Sequence, residues 1–474
     1  MLRLSVVIEA LTGVAPIGED REIHDAAIDS RQVKPQSMFI ALPGERVDGH
    51  DFIQEAFHRG ATVALISRPA PAGCLQYDLR EGWKSDQELR IGSDRVCLLV
   101  NDSLEAMQKS AKFWRKRLNL GVIGITGSVG KSTTKELVAE VLGRRYRTLK
   151  SPGNLNNEIG LPLTVLKLNE QHQRAVLEMG FYVPGEIKFL CDIGMPQVGV
   201  VTNIGTVHAE RAGTIEDIIR GKTEIVQALP PAPDGLAILN FDDPKVRGMS
   251  EHTAARIFYY GMSPEAHLWA DEVEGLGLDG IRLRLHYRNE IIHLRVPLIG
   301  RHSVHTVLRA AAVGLNDGLS WQEIVSGLQS GKAQLRLVAV RASSGAIILD
   351  DTYNASPEST LAALNLLDDL DGRKIAVLGD MLELGRYEQQ GHLMVGARAA
   401  EVASELITIG ERAKWIASSA AQSGMTVEMI KQYDTPEQSI AYLKDHLSEK
   451  DVVLVKGSRG MQMDSIVSAL EAES

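Results

Sequence analysis

An α/β protein of three domains is what this sequence predicts, on three observations. The chain has 474 residues, against roughly 150 for an ordinary domain. Its apolar runs are short, continuous and separated by helical spacing, the pattern of parallel strands covered on both faces. One run passes straight into a glycine-rich turn and a helix, GITGSVGKSTTKE at 124–136. A composition of 44% hydrophobic and 24% charged residues belongs to a globular protein. A net charge of −10 with 5% aromatics argues against a nucleic-acid binder, while an anionic small substrate stays open because local clusters outweigh the total. Cys74, Cys97 and Cys191 are odd in number and lack metal-type spacing, which suits a reducing cytoplasm and small core residues. MLRLSVVIEALTG is too broken to be a signal peptide, and no apolar stretch is long enough to span a bilayer.

Taken in order, residues 1–98 form a small mixed α/β domain. SMFIAL (37–42), ATVALIS (61–67) and VCLLV (96–100) read as buried strands set off by Gly and Pro, and the polar stretch 78–95 reads as a surface excursion. SLEAMQKSAKFWRKRL (103–118) is a helix with Leu104, Met107, Ala111 and Trp114 on one face, capped at Ser103 and linking the first block to the second. Residues 99–330 form a central domain: GVIGITG, RAVLEM (174–179), VGVVTNI (198–204) and LAILN (236–240) are its parallel strands, and a helix starts near Ser132. In 269–300 the alternation of Ile281, Leu283 and Leu285 with an Asp-Gly turn predicts an antiparallel annex, and HSVHTVLRAAAVGL (302–315) a closing helix. Residues 331–474 repeat strand and helix through AIILDD, KIAVLGD, ELITIG and DVVLVKG, a Rossmann-like order without a GxGxxG fingerprint.

The glycine turn is a phosphate-binding loop by its chemistry. Glycines let backbone N–H groups converge on phosphate oxygens, and the helix behind them adds a favourable dipole. Lys131 would neutralise phosphate charge, and the Ser132 hydroxyl would face Mg²⁺. A strict Walker pattern wants glycine where Ile125 stands, so this is a variant, T-G-S-x-G-K-S. Glu178 ends the next buried strand, where ligands of open α/β sheets bind, and a carboxylate there can hold a metal. His208 lies past VTNIGT and alone reads as an ordinary loop histidine. Lys222, fourteen residues on, sits in a core-facing helix; a neutral lysine there can take up CO₂ as a carbamate, though nothing in the spacing selects that chemistry.

As an ordered set these segments resemble the Mur ligase family, the ATP-dependent amide-forming enzymes of peptidoglycan assembly. In the first block IDSRQV, MFIALPGERVDGHDF and Gly60-Ala61 look like its UDP-binding domain; TGSVGKSTTKE, SPGNLNNEIGLPLTVL, EMG, TNIGTVH and GKTEI follow the central ATPase domain; LDDTYNASPES, VLGDMLELG and LVKGSRG match the C-terminal domain. The pattern is closest to the branch that joins D-alanyl-D-alanine to UDP-N-acetylmuramoyl-tripeptide through an acyl phosphate. The resemblance implies a cytoplasmic, monomeric enzyme using ATP and two Mg²⁺ ions. It implies that Thr126, Gly127, Ser128, Val129, Gly130, Lys131, Ser132 and Thr133 cradle the triphosphate, with His302, Arg336 and Asp351 completing the nucleotide site. Ser132, Glu178, His208 and a carbamylated Lys222 would serve the metals, and Arg336 would reach the γ-phosphate. Ser30, Arg31, Asp48, Gly49 and His50 would meet the UDP part, with Asn154, Asn156 and Asn157 in a further substrate loop. Tyr353, Asn354, Lys456, Ser458 and Arg459 would line the amine side.

Two departures stand out. Ser303 and Thr306 occupy positions where the family usually has Asn and which are associated with adenine, so altered base contacts are expected. YNASP replaces YNANP, with Ser356 for Asn. Other readings are another Mur-type amino-acid ligase and a non-catalytic muropeptide- or nucleotide-binding homologue. A DNPR-like motif, an N-terminal Rossmann loop and a guanine-type N-K-x-D are each absent from the sequence, and intact Lys131, Glu178, His208 and Lys222 speak for catalysis.

Overall fold

Alternate residues of the strand Gly121–Thr126 enter opposite cores, which is why its sequence is apolar without interruption. Val122 packs into one core with Ala175 and Leu177, while Ile123 and Ile125 pack into the other with Val176 and Val200. The structure, a computed structural model, describes residues 1–44, 47–80, 90–91, 95–207, 209–330 and 338–471. Three sheets organise these residues, as expected of a three-domain α/β chain.

The first sheet has five parallel strands in the order Asp25–Ala27, Ser37–Ile40, Ala61–Ile66, Val96–Leu99 and Leu75–Asp78. The segment read as a surface excursion lies partly outside the described residues; Arg90–Ile91 forms a short strand pairing with Ile17–Gly18. The linking helix is Ser103–Arg117, and its cap is Asp102, not Ser103: the Asp102 carboxylate accepts from Glu105 N–H at 2.9 Å. Asp102 is extended and exposed, so its side chain can turn back onto the first turn, whereas Ser103 is already helical and buried. Met107, Ala111 and Trp114 are buried as predicted, and Leu104 is half-buried. Trp114 donates to Leu168 O at 2.9 Å, and the buried Arg115 donates to carbonyls of Leu118, Leu120 and Gly194. Through this helix, residues of the first and central sheets share one continuous core.

The central sheet has nine strands, ordered Thr148–Lys150, Arg174–Glu178, Gly121–Thr126, Val198–Val201, Leu236–Asn240, Arg256–Gly261, Leu268–Gly275, Ile281–Tyr287 and Glu290–Val296. The first seven run parallel and the last pairings are antiparallel. The annex is therefore the edge of the main sheet and not a separate layer. Its alternation is as predicted, with Ile281, Leu283 and Leu285 buried, and the Asp279-Gly280 turn joins two of its strands. Gly280 has φ 103° and a Cβ there would stand 2.1 Å from Val296 O, so the turn needs glycine.

The third sheet runs Val338–Arg341, Ile347–Asp351, Asp451–Lys456, Arg373–Gly379, Glu405–Ile409 and Ile430–Tyr433, parallel except for the first pair. Cys97 and Cys191 are buried core thiols, pushed up to about 12 and higher still by desolvation; Cys74 is half-buried.

The cap assignment makes opposite predictions for neighbours. Asp102→Ala is expected to lose about 1 kcal/mol of stability in urea unfolding. Ser103→Ala is expected to cost nothing, because the Ser103 hydroxyl is buried without a partner. The reverse order would place the cap at Ser103.

Candidate functional site

Gly127 and Gly130 shape the turn between the strand Gly121–Thr126 and the helix Lys131–Leu142. Both have positive φ, 138° and 83°, and a Cβ on Gly127 would stand 1.9 Å from Thr202 Oγ1. Ile125, where a strict Walker pattern has glycine, is a fully buried strand residue paired with Glu178 and Val200. The turn is stapled to the adjacent strand end. Ser128 N–H donates to Asn203 O at 2.9 Å, Val129 N–H donates to Asn203 Oδ1 at 3.0 Å, and Thr202 Oγ1 donates to Val129 O at 2.7 Å.

Ser128 through Thr133 line one cavity, of about 1080 Å³ with its open mouth included. Thr126 and Gly127 line none of it. The Thr126 hydroxyl is fully buried and donates to Met179 O at 3.0 Å, so its work is to join two strands behind the loop. Lys131 Nζ lies across the turn, donating to Gly127 O at 2.9 Å and Ser128 O at 3.2 Å.

The sheet register sets Glu178 beside this loop. Its carboxylate is fully buried and accepts from Ser132 Oγ at 2.7 Å and from Asn156 Nδ2 at 2.8 Å. Lys222 approaches from the helix Ile215–Gln227. Its Nζ is buried, donates to Gly127 O at 3.0 Å and lies 4.7 Å from the centre of the Phe181 ring. Gly221 makes room for that ring, since a Cβ would meet it at 2.0 Å. Desolvation, and then the charge of Lys131, hold the Lys222 ammonium well below its ordinary value. His208 and Arg336 lie outside the described residues.

The opposite wall comes from the third sheet. Asp351, Tyr353, Asn354 and Lys456 line the same cavity as the loop, as do His302, Ser303 and Thr306 from the central domain. Lys456 is buried, pairs with Asp351 at 2.6 Å and donates to Asn354 O at 2.8 Å. Lys456 and Asn354, assigned from sequence to an amine side, thus stand in the wall that faces the phosphate loop. Ser458 is buried and accepts from Leu382 N–H, while Arg459 lies 5.8 Å over the Tyr353 ring. Ser356 caps the helix Pro357–Asp368, a position that Ser and Asn serve equally well, which accounts for the YNASP spelling. The two domains touch across the cavity rim: Thr206 N–H donates to Glu358 at 3.1 Å, and Glu210 N–H to Glu383 O at 3.1 Å.

The Asn cluster divides in three ways. Asn156 serves Glu178, Asn157 Oδ1 accepts from Gly160 N–H at the next helix start, and Asn154 is exposed. The first-domain candidates line no part of the loop cavity. Ser30 donates to Glu55 at 3.0 Å, and Arg31 is exposed with its guanidinium on Asp29 at 2.8 Å. Asp48 accepts from His50 N–H and ring Nδ1, and His50 Nε2 accepts from Ser67 N–H, so the Asp48-Gly49-His50 turn holds itself.

Residues that sequence reasoning did not single out complete the site. Lys135 is buried, with Nζ donating to Gly153 O at 2.6 Å and standing 3.3 Å from Glu136 and 3.6 Å from Glu178. Its spacing of four from Lys131 places both on one helix face, a signal the sequence does carry. Arg309, also buried, donates to Thr134 Oγ1 and Thr306 Oγ1, each at 2.9 Å.

Three family profiles cover most of this chain: Mur ligase family, catalytic domain, at 22–113; Mur ligase middle domain at 125–314; and Mur ligase, glutamate ligase domain, at 335–459. A Bacillus subtilis UDP-N-acetylmuramoyl-tripeptide–D-alanyl-D-alanine ligase is 34% identical over 470 residues, covering 96% of this chain and 94% of the relative. Among solved structures, MurF from Acinetobacter baumannii superposes with a TM-score of 0.80 at 30% identity, covering 98% and 97% of the two chains. MurF ligase from Thermotoga maritima in complex with ADP gives 0.75 at 28% identity, with 94% and 96% covered.

Lys135 neutralises a desolvated carboxylate, so Lys135→Met is expected to lower stability by about 3 kcal/mol, the usual consequence of removing one partner from a buried ion pair. Urea unfolding measures it; an unchanged midpoint and slope would show that Glu178 needs no such partner.

Proposed function

The chain belongs to the Mur ligase family, and on that premise we propose that it joins D-alanyl-D-alanine to a UDP-N-acetylmuramoyl-tripeptide, driven by ATP, in peptidoglycan precursor assembly. The observation that carries this reading is the meeting of a phosphate loop and the third sheet's Asp351, Asn354 and Lys456 in one cavity. Such a cavity brings a triphosphate and an acceptor together out of water. The tripeptide carboxylate attacks the γ-phosphorus, ADP leaves, and an acyl phosphate forms. The free amine of the dipeptide then attacks the acyl carbon, and phosphate departs from the tetrahedral intermediate.

Each charged residue has work in this scheme. The first-turn N–H groups of the loop helix and Lys131 hold phosphate oxygens whose mutual repulsion is strong once desolvated. Ser132 and Glu178 offer a hydroxyl and a carboxylate oxygen 2.7 Å apart, a set that suits Mg²⁺, which favours few protein ligands and shares phosphates. When bound, Mg²⁺ supplies further neutralisation of the transferring group. Among the described residues no three His, Cys, Asp or Glu side chains converge on a metal position. A second ion would therefore draw on a carbamate at Lys222, whose depressed ammonium favours the neutral amine that takes up CO₂, and on His208. Arg336 is proposed to reach the γ-phosphate as the C-terminal domain closes, which keeps the acyl phosphate from water. Ser30, Arg31 and the Asp48–His50 turn are proposed for the UDP part, and Tyr353 and Arg459 for the dipeptide. Domain divisions near residues 98 and 330 and a cytoplasmic site of action complete the proposal. No helix among the described residues is long and apolar enough to cross a membrane.

A product assay tests it. Protein, ATP, Mg²⁺ and D-Ala-D-Ala are combined with candidate UDP-tripeptides, and ligated pentapeptide and ADP are expected in equal amounts. ADP without ligated product would contradict the reading. Lys131→Ala is expected to lose tripeptide-dependent ADP release. Lys222→Ala is expected to reduce turnover by about 10³-fold or more while nucleotide still binds, as the loss of a transition-state charge does. Near-normal turnover in that variant would remove the carbamate from the scheme.

A further inference from the structure

Arg309 is a buried cation with no ion-pair partner among the described residues, set directly behind the phosphate loop. It stands between Leu308 and Ala310 on the buried part of the helix Val304–Asn316 and is 3% exposed. Its guanidinium meets three neutral oxygens: Thr134 Oγ1 at 2.9 Å, Thr306 Oγ1 at 2.9 Å and Tyr260 OH at 3.3 Å. Among the described residues no carboxylate lies within ion-pair distance of it. A guanidinium carries five N–H donors, so these three bonds leave it with donor capacity as well as its full charge. Burying such a charge is expensive unless an anion answers it. The nearest place for an anion is the cavity, because Nη2 lies 3.3 Å from where a Cβ on Gly130 would stand. Arg115, the comparison within this molecule, has its guanidinium satisfied by several backbone carbonyls.

We propose that Arg309 is a positioning residue of the nucleotide site: it charges the phosphate loop from behind Gly130 and fixes Thr134 and Thr306, so that affinity grows with each phosphate the ligand carries. It touches neither phosphate nor metal. Its effect passes through Gly130, whose missing side chain lets the guanidinium approach, and through Thr134 in the first turn of the loop helix. The field also reaches His305, whose imidazole is lowered to about 4 by desolvation and then by the Arg309 charge, against the pull of Asp242. This inference rests on the nucleotide reading given above.

The test compares Arg309→Gln and Arg309→Met, which remove the charge with and without hydrogen bonding, against Arg309→Lys, which keeps it. Calorimetry gives dissociation constants for ATP, ADP and AMP, and thermal melting reports folding. In the neutral variants ATP is expected to weaken by roughly tenfold or more, ADP by less and AMP least, as a charge interaction several ångströms long requires. Arg309→Lys is expected to keep most of that gradient. Equal losses for the three nucleotides, no loss at all, or a Lys variant as weak as Gln would overturn the proposal. If the unaltered protein binds none of the three, the nucleotide reading itself falls, and this inference with it.

Discussion

The loop after Thr126 has to hold positive charge away from water, and much of the surrounding structure answers that constraint. Lys131, Lys135, Lys222 and Arg309 converge on it from three helices, and Glu178 stands among them at the end of the adjoining strand. Bare, such a cluster repels itself and is poorly solvated. Each cation is therefore laid against an oxygen: Lys131 and Lys222 share the Gly127 carbonyl, Lys135 bridges two glutamates, and Arg309 takes three hydroxyls. Asp351, held by Lys456, is an acid of the facing wall, and the nucleotide proposed above would bring further anionic charge to the loop.

The architecture follows from where those charges must sit. Parallel strands deliver Thr126, Glu178 and Thr202 to the same end of the central sheet, and covering both faces keeps that end rigid. The third sheet completes the cavity from across a seam that includes Glu358 with Thr206, Glu383 with Glu210 and the Arg301–Asp369 ion pair. The shared core between the first and central sheets holds those two together.

Most of this was legible in the sequence, and the exceptions share a cause. Continuous aliphatic runs identified the central strands because both faces are covered. Thr148–Lys150, Val338–Arg341 and Ile430–Tyr433 escaped notice because they are short edge strands with half-exposed side chains, and Arg256–Gly261 because its buried positions are aromatic and alternate. The loop and Glu178 were readable as motif chemistry, while the role of Lys222 entered only through the family resemblance. The cap at Asp102 was missed by one residue, since Asp and Ser both suit that role and only the backbone angle decides. Arg309 and Lys135 were readable only as oddities, a cation beside a run of alanines and a second lysine beside the motif. Their partners lie on other elements, Thr134 being 175 residues from Arg309, and local pattern carries no information at that range.

The central claim is that phosphate moves from nucleotide to a peptide carboxylate before the amide forms. Transfer of oxygen measures this directly. UDP-N-acetylmuramoyl-tripeptide labelled with ¹⁸O in its terminal carboxylate is turned over with ATP and D-Ala-D-Ala, and the released phosphate is weighed by mass spectrometry. An acyl phosphate predicts one ¹⁸O in each phosphate released during ligation. Unlabelled phosphate, its new oxygen drawn from water, would contradict the account.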